Sequence, residues 1–149
     1  MPLFSAKLDY ALRAVVDLAM QPSNEACQRR EIAARQDIRG PYLDQILAVL
    51  KREGIVRSIR GAGGGYTLAR SPGKIVVSEV VRAVVGEQLL ISGNTQPPDP
   101  TVGGATFIVR QFEEEIEKHL AVLLERLTIA DLVARKQQMD ESLSYMPGI

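Results

Sequence analysis

Four of the five residues from Gly61 to Gly65 are glycine, and no other stretch restricts the fold as tightly. Such a run serves either as a phosphate-cradling loop or as the tip of a tight hairpin. A nucleotide loop needs a strand, the glycines, then a helix whose N-terminus meets the pyrophosphate, and a P-loop also needs a Gly-Lys-Ser/Thr ending. Here Tyr66-Thr67-Leu68-Ala69 follows, which reads as strand, and no lysine adjoins the glycines. The preceding Ile55-Val56-Arg57-Ser58-Ile59 alternates as well, so the spacing predicts a β-hairpin with Arg60-Gly61-Ala62-Gly63-Gly64-Gly65 at its tip. Glycine there admits positive φ and leaves a thin backbone that can approach another surface closely.

Upstream, Leu8, Leu12, Val15, Val16 and Ala19 recur at helical spacing behind Ser5, a good N-cap, which predicts an amphipathic helix over 5–20. A short Arg-rich helix over about 28–36 turns Ile32 and Ala33 inward, and Asp37-Ile38-Arg39-Gly40 reads as a four-residue turn. Pro41 then stands where a first-turn proline is tolerated. Leu43, Ile46, Leu47 and Leu50 form one stripe of a helix through Glu53, closed by Gly54.

Downstream, Ser78 is the predicted cap of a short helix through Val85, whereas residues 86–104 are rich in Gly and Pro and show no periodicity. A loop of that length is functional or mobile. Phe112, Ile116, Leu120, Leu123 and Leu127 mark a long amphipathic helix over 105–127, with Glu113, Glu114, Glu115 and Glu117 mostly off the stripe. Thr128-Ile129-Ala130-Asp131 has the spacing of a capping box and opens a last helix to about Gln138, and the final residues, 142–149, are expected to fray. The predicted fold is mainly α with one small β-hairpin: helix-turn-helix and hairpin in 1–75, helices and a loop in 76–149.

The 149 residues carry 18 Lys+Arg and 18 Asp+Glu, yet residues 1–75 hold 12 basic against 7 acidic side chains and residues 76–149 hold 6 against 11. A basic half points to a polyanionic partner, although solvated surface charge also produces such splits. With the apolar stripe inward, Tyr42, Asp44, Gln45, Ala48, Lys51 and Arg52 face outward. On a helix lying in a major groove, Gln45 can pair with adenine and Asp44 can accept from cytosine. Tyr42 or Ala48 can touch a thymine methyl or a phosphate, and Lys51 and Arg52 can reach phosphate. Singly, each is equally an ordinary exposed residue; helix, turn, helix and hairpin on a basic half are what join them. On the hairpin, Arg57 and Arg60 with Gly61, Gly63 and Gly64 suit a narrow minor groove, whose negative potential attracts a guanidinium on a slim support. The alternative is a mobile turn with solvated arginines. Arg29, Arg30 and Arg39, around the second helix, complete the basic set.

One cysteine cannot form an intrachain disulfide, and Cys27 with His119 cannot furnish a four-ligand zinc site within one chain. A reducing, cytoplasmic setting is expected. The start lacks a basic segment leading into an apolar one, and no run of about 18 apolar residues occurs, so neither export nor a membrane span is expected. His119 reads as an exposed or interface residue, Cys27 as a plain, partly buried thiol, and the carboxylates 113–117 as a solvated face. No nucleophile stands beside a base at diagnostic spacing, so no enzymatic activity is expected.

Ser5-Ala6-Lys7-Leu8-Asp9-Tyr10-Ala11-Leu12, Ile32-Ala33, Tyr42-Leu43-Asp44-Gln45-Ile46-Leu47 and Leu50-Lys51-Arg52-Glu53-Gly54-Ile55-Val56 resemble the Rrf-two (Rrf2) family of winged helix-turn-helix transcription factors. So does Ser58-Ile59-Arg60-Gly61-Ala62-Gly63-Gly64-Gly65-Tyr66, and Leu127-Thr128-Ile129-Ala130-Asp131-Leu132 is similar to the family's closing helix. Only 86–104 has no match. The resemblance implies a homodimeric, sequence-specific regulator, a repressor, bound to double-stranded DNA at a palindromic operator. Residues 1–75 would be the winged DNA-binding domain, and 76–149 the linker helix, loop and dimerisation helices. It places Tyr42, Asp44 and Gln45 on the recognition helix, Arg60 on a wing in the minor groove, and Lys7 at a phosphate near the dimer centre. The long helix, with Phe112, Ile116, Leu120, Leu123 and Leu127, would cross its twin.

Cluster-binding members carry three Cys in the loop corresponding to 86–104 and a fourth ligand near the start of the long helix. This sequence has no thiol there, so conventional iron–sulfur ligation is absent and no cofactor or metal is expected. Three sources of a regulatory signal stay open. One is an unusual site using Cys27, His119 or carboxylates such as Asp9 from both chains; the others are a small ligand at the dimer interface, or no ligand. A winged-helix interaction module without specific DNA binding is the alternative function.

Overall fold

A computed structural model describes residues 3–22, 25–86, 99, 101 and 103–145. The described elements are α1 (Ala6–Met20), α2 (Arg29–Gln36), α3 (Gly40–Arg52), β1 (Val56–Ile59), β2 (Gly65–Leu68), a 3-10 turn (Pro72–Lys74), α4 (Val77–Val85), α5 (Gly104–Arg126) and α6 (Ile129–Ser144). The stretch predicted as an irregular loop lies almost wholly outside the described residues.

Ser5 caps α1 through its hydroxyl, which accepts from the Leu8 N–H at 3.3 Å. The buried side of α1 is rotated from the predicted stripe: Ala11, Ala14, Leu18 and Asp17 join Leu8 and Val15 inside, while Leu12, Val16 and Ala19 are half-buried. The reason is that α1 is a central post, packed against α2, α3, α4, β2 and α6, so the positions nearest the axis of the bundle are taken by small residues. In α2 the Glu31 carboxylate accepts from the Gln28 N–H at 2.8 Å. The turn is three residues, Asp37–Arg39, because Gly40 already belongs to α3. Asp37 adopts φ 51°, a left-handed conformation that Asp tolerates better than most side chains, and Ile38 plugs the core at 4% exposure. Leu43, Ile46, Leu47 and Leu50 are fully buried on α3, as their spacing predicts.

The hairpin pairs Val56 with Leu68, Arg57 with Thr67, Ser58 with Tyr66 and Ile59 with Gly65. Its other edge is covered: the Cys27 N–H donates to the Tyr66 carbonyl at 2.8 Å and the Tyr66 N–H donates to the Cys27 carbonyl at 2.7 Å. A segment just before α2 thus braces the second strand of the wing.

Helix α4 starts at Val77, one residue before the predicted cap Ser78. Val76 is held extended by a bridge to Thr128, where the Val77 N–H donates to the Leu127 carbonyl at 2.8 Å and the Ile129 N–H to the Ile75 carbonyl at 2.9 Å. Glu79 accepts from the freed Val76 N–H at 3.2 Å and also binds Arg70 at 2.6 Å. The Arg70 guanidinium holds the Glu79 carboxyl below its ordinary value of 4.5. A lowered folded pKa stabilises the fold fully above the ordinary value, and this contribution disappears as pH falls through the folded value. Stability of wild type relative to Glu79→Gln should therefore be constant above about pH 5.5 and shrink on acidification. Urea denaturation across pH checks this; a difference independent of pH contradicts it.

The capping box at α6 forms as predicted, with Asp131 accepting from the Thr128 N–H at 2.9 Å and Thr128 Oγ accepting from the Asp131 N–H at 3.2 Å. The helix runs past the expected end at Gln138 to Ser144. Lys136 and Asp140 pair at 2.5 Å one turn apart, and Ser142 Oγ donates to the Gln138 carbonyl at 2.9 Å, so local bonds carry the helix into the first of the residues expected to fray.

Candidate nucleic-acid interface

Helix α3 leaves Asp44, Gln45, Ala48, Lys51 and Arg52 exposed and passes through Gly54 straight into the wing. Its basic end stabilises the C-terminal dipole and stands in water, where Arg52 pairs, among the described residues, with the adjacent, exposed Glu53 at 3.5 Å. Gln45, Ala48 and Lys51 are open along the same exposed face.

Three residues predicted as contacts have partners within the chain. Tyr42, expected to face outward, is half-buried, its ring edge-on to Tyr10 with centroids 5.5 Å apart, and Arg13 lies 5.0 Å over the Tyr10 ring. Position 42 lies beside the core residue Leu43, so an aromatic ring there folds back onto α1. Arg29 and Asp44, predicted as separate contacts, are one pair: Arg29 Nε lies 3.1 Å from the Asp44 carboxylate. Gly40 makes room for it, since a Cβ at that position would meet the Arg29 guanidinium. One charge of α2 and one of α3 are thereby matched before any partner arrives. Arg30 and Arg39 are exposed, and Lys7 is half-buried in the first turn of α1.

On the wing, Arg57 and Arg60 are exposed, and so are Gly61 and Gly63 at the tip. Gly61 and Gly63 take φ 98° and 75°, a region where a side chain is strained. Space decides at Gly64 and adds to a positive φ of 150° at Gly65: a Cβ would strike the Ile59 carbonyl at one and the Cys27 carbonyl at the other. The glycine run is thus required by the shape of the hairpin itself, and the slim tip is a consequence. Arg70, two residues beyond β2, is engaged within the chain: it binds Glu79 and the Lys74 carbonyl, the latter at 2.9 Å.

Sequence reading missed the brace behind this surface. Asp17, 1% exposed, accepts from Arg35 Nε at 2.9 Å, from Arg35 Nη2 at 2.8 Å and from Gln36 Nε2 at 2.9 Å. Arg13 adds a bond to the Gln36 carbonyl. The one available signal was an aspartate between the apolar residues Val16 and Leu18. Arg35 also reaches Cys27, which is 5% exposed rather than partly buried as expected; burial pushes its thiol above the ordinary 9.0 even though Arg35 pulls the other way.

Helix α5 is anchored to the body by Leu124, its single buried residue among those described. The predicted stripe faces out: Phe112 and Leu123 are 60% and 51% exposed, and Ile116, Leu120 and Leu127 are half-buried. Ile108, Val109 and Val122 are exposed too. His119 stands exposed on α5 with Nδ1 2.7 Å from the Glu115 carbonyl. No described helix is long and apolar enough to cross a membrane.

The family model for Rrf2, described as an iron-dependent transcriptional regulator, matches residues 4–135. The HTH-type transcriptional regulator IscR of Cereibacter sphaeroides is 34% identical over 137 residues, spanning 90% of this chain and 88% of its own. Among solved structures, the IscR of T. potens is similar with a TM-score of 0.71 at 29% identity, covering 98% of this chain and 93% of that one. CymR, the global cysteine regulator of B. subtilis, gives 0.67 at 26% identity, covering 91% and 98%. A helix-turn-helix joined to a glycine-tipped wing, a match over most of the length and a shared architecture lead to one assignment: the chain belongs to the Rrf2 family of DNA-binding transcriptional regulators.

Proposed function

We propose that this regulator is a cytoplasmic homodimeric repressor that binds a palindromic operator, with α3 in the major groove and the wing in the minor groove. The observation that carries the reading is the exposed row Gln45, Ala48 and Lys51 on α3, continuous in sequence with a wing whose slim tip presents Arg60. In this reading Gln45 reads a base edge, Lys51, Arg52, Arg30, Arg39 and Lys7 hold phosphates, and Arg57 and Arg60 serve the wing. Asp44 reads a base only while Arg29 keeps its charge balanced against the phosphates. Tyr42 acts mainly by fixing α3 on α1.

The family description names iron, and the donors of this chain do not fit a thiolate-held cluster. Such a cluster takes thiolates or, less often, imidazoles. The sequence supplies one of each. Cys27 is enclosed against the wing and its burial disfavours the thiolate, while His119 is exposed on α5. Among the described residues no three His, Cys, Asp or Glu side chains converge as a metal site.

Selection of duplexes from random sequence, followed by fluorescence anisotropy, tests the reading. Gln45→Ala should weaken the selected site by about 1–3 kcal/mol and relax preference at one position of each half-site. Lys51→Ala should weaken all duplexes alike and reduce the salt slope by about one. Equal wild-type affinity for selected and random duplexes would contradict the proposal and favour an interaction module.

A further inference from the structure

Between α4 and α5 lies a cleft of about 330 Å³ lined by Ser78, Val81, Arg82, Gly86, Ala121, Leu124 and Glu125. That volume lies at the lower end of the range for small-molecule sites, roughly 300–1,000 Å³. Two matching helical faces build it. Ser78, Val81 and Arg82 stand at i, i+3 and i+4 on α4, and Ala121, Leu124 and Glu125 repeat the spacing on α5. Ala121 is too small to fill the gap, and Val81 and Leu124, 1% and 7% exposed, provide an apolar floor.

The rim is chemically specific. Arg82 and Glu125 border the same cleft, yet neither makes an ion pair or side-chain hydrogen bond among the described residues. The nearby Glu79 is ion-paired with Arg70, and its carboxyl feels the Arg82 charge from farther away without pairing with it. A phosphate or other simple anion would meet Glu125, and a simple cation would meet Arg82. A molecule carrying both signs on a short skeleton satisfies both.

We propose that the α4–α5 cleft binds a small zwitterion, an α-amino acid or close derivative, with its carboxylate at Arg82 and Ser78, its ammonium at Glu125 and its aliphatic part on Val81 and Leu124. The site also has leverage. Helix α4 packs on α1 and α3 of the DNA-binding body, whereas α5 carries the exposed apolar stripe. A ligand wedged between them biases the angle of the DNA-binding body to α5, and with it the spacing of two recognition helices in a dimer. Only this regulatory consequence rests on the proposed DNA-binding mode.

Isothermal titration of the full chain with each standard amino acid at millimolar concentration, without DNA, reads the site independently of the proposed function. At least one amino acid should bind, and Arg82→Gln, Glu125→Gln and the cleft-filling Ala121→Leu should each abolish binding while leaving the thermal unfolding midpoint unchanged. The same amino acid should change affinity for a selected duplex by about fivefold or more, the lower end of allosteric coupling, in wild type and in none of the variants. Binding by no amino acid, binding that survives in Arg82→Gln and Glu125→Gln, or binding without effect on a protein that does select DNA would each overturn the proposal. So would a shift in dimer dissociation caused by those two substitutions, which would assign the cleft to the second copy. Failure of wild type to select any duplex would instead count against the DNA-binding mode.

Discussion

Leu120→Glu is expected to convert the protein to a monomer in analytical ultracentrifugation and to lower affinity for a palindromic duplex by about 10²–10⁴-fold, the usual gain from coupling two binding events. Helix α5 is 23 residues long, hence ~35 Å, and displays Phe112, Ile116, Leu120 and Leu123 outward at helical spacing. Exposed apolar area of that kind marks an interaction surface. These residues, with Glu115 and His119, line an open groove of about 310 Å³, into which a second copy's side chains would insert. A carboxylate at position 120 would be buried unpaired in that contact. The fold should survive, because α5 is attached through Leu124, which points to the body and is untouched. A monomeric wild type, or a dimeric Leu120→Glu that keeps full affinity, would contradict the assignment.

Arg35→Ala should lower unfolding free energy by about 3–5 kcal/mol in urea, the cost of leaving a buried charge without its partner. The two partners are unequal. Asp17 is 1% exposed and would keep only Gln36, whereas Arg35, whose side chain is 38% exposed, can turn to water when Asp17 is removed. Asp17→Asn should therefore cost less than Arg35→Ala. Replacing both by leucine should recover much of the loss, since paired removal leaves no orphan charge. A loss below 1 kcal/mol for Arg35→Ala would show that Gln36 and water alone satisfy Asp17. The pair ties α2 to α1, and Arg35 touches Cys27 beside the wing, so the same substitution should also loosen the wing.

Local pattern carried much of this fold. The stripe Leu43, Ile46, Leu47, Leu50 gave the placement of α3 because four apolar residues at one spacing admit one inward face, and the Thr128–Asp131 box located α6 because both bonds are local. What spacing could not convey is pairing at a distance. Asp17 with Arg35, Arg29 with Asp44, and Arg70 with Glu79 join residues nine or more positions apart, and each engages a charge that looks free in the sequence. Tyr42 misled because a residue beside the stripe can fold either way, and its ring found Tyr10. The glycine tip was legible in part: Gly61 and Gly63 take the positive φ that such a run predicts, whereas Gly65 is also small because the Cys27 segment passes against it, a contact between segments nearly forty residues apart. The end of α6 was lost because an ion pair and hydroxyl bonds about one turn apart extend a helix that has little apolar periodicity.

Hydroxyl-radical footprinting of wild type and Arg60→Ala on a selected duplex tests the central claim most directly. Two copies gripping DNA should protect two dyad-related half-sites, with centres ~34 Å or a multiple of that apart, each flanked by minor-groove protection that Arg60→Ala removes. A single unsymmetrical footprint, or flanking protection that persists without Arg60, would contradict it.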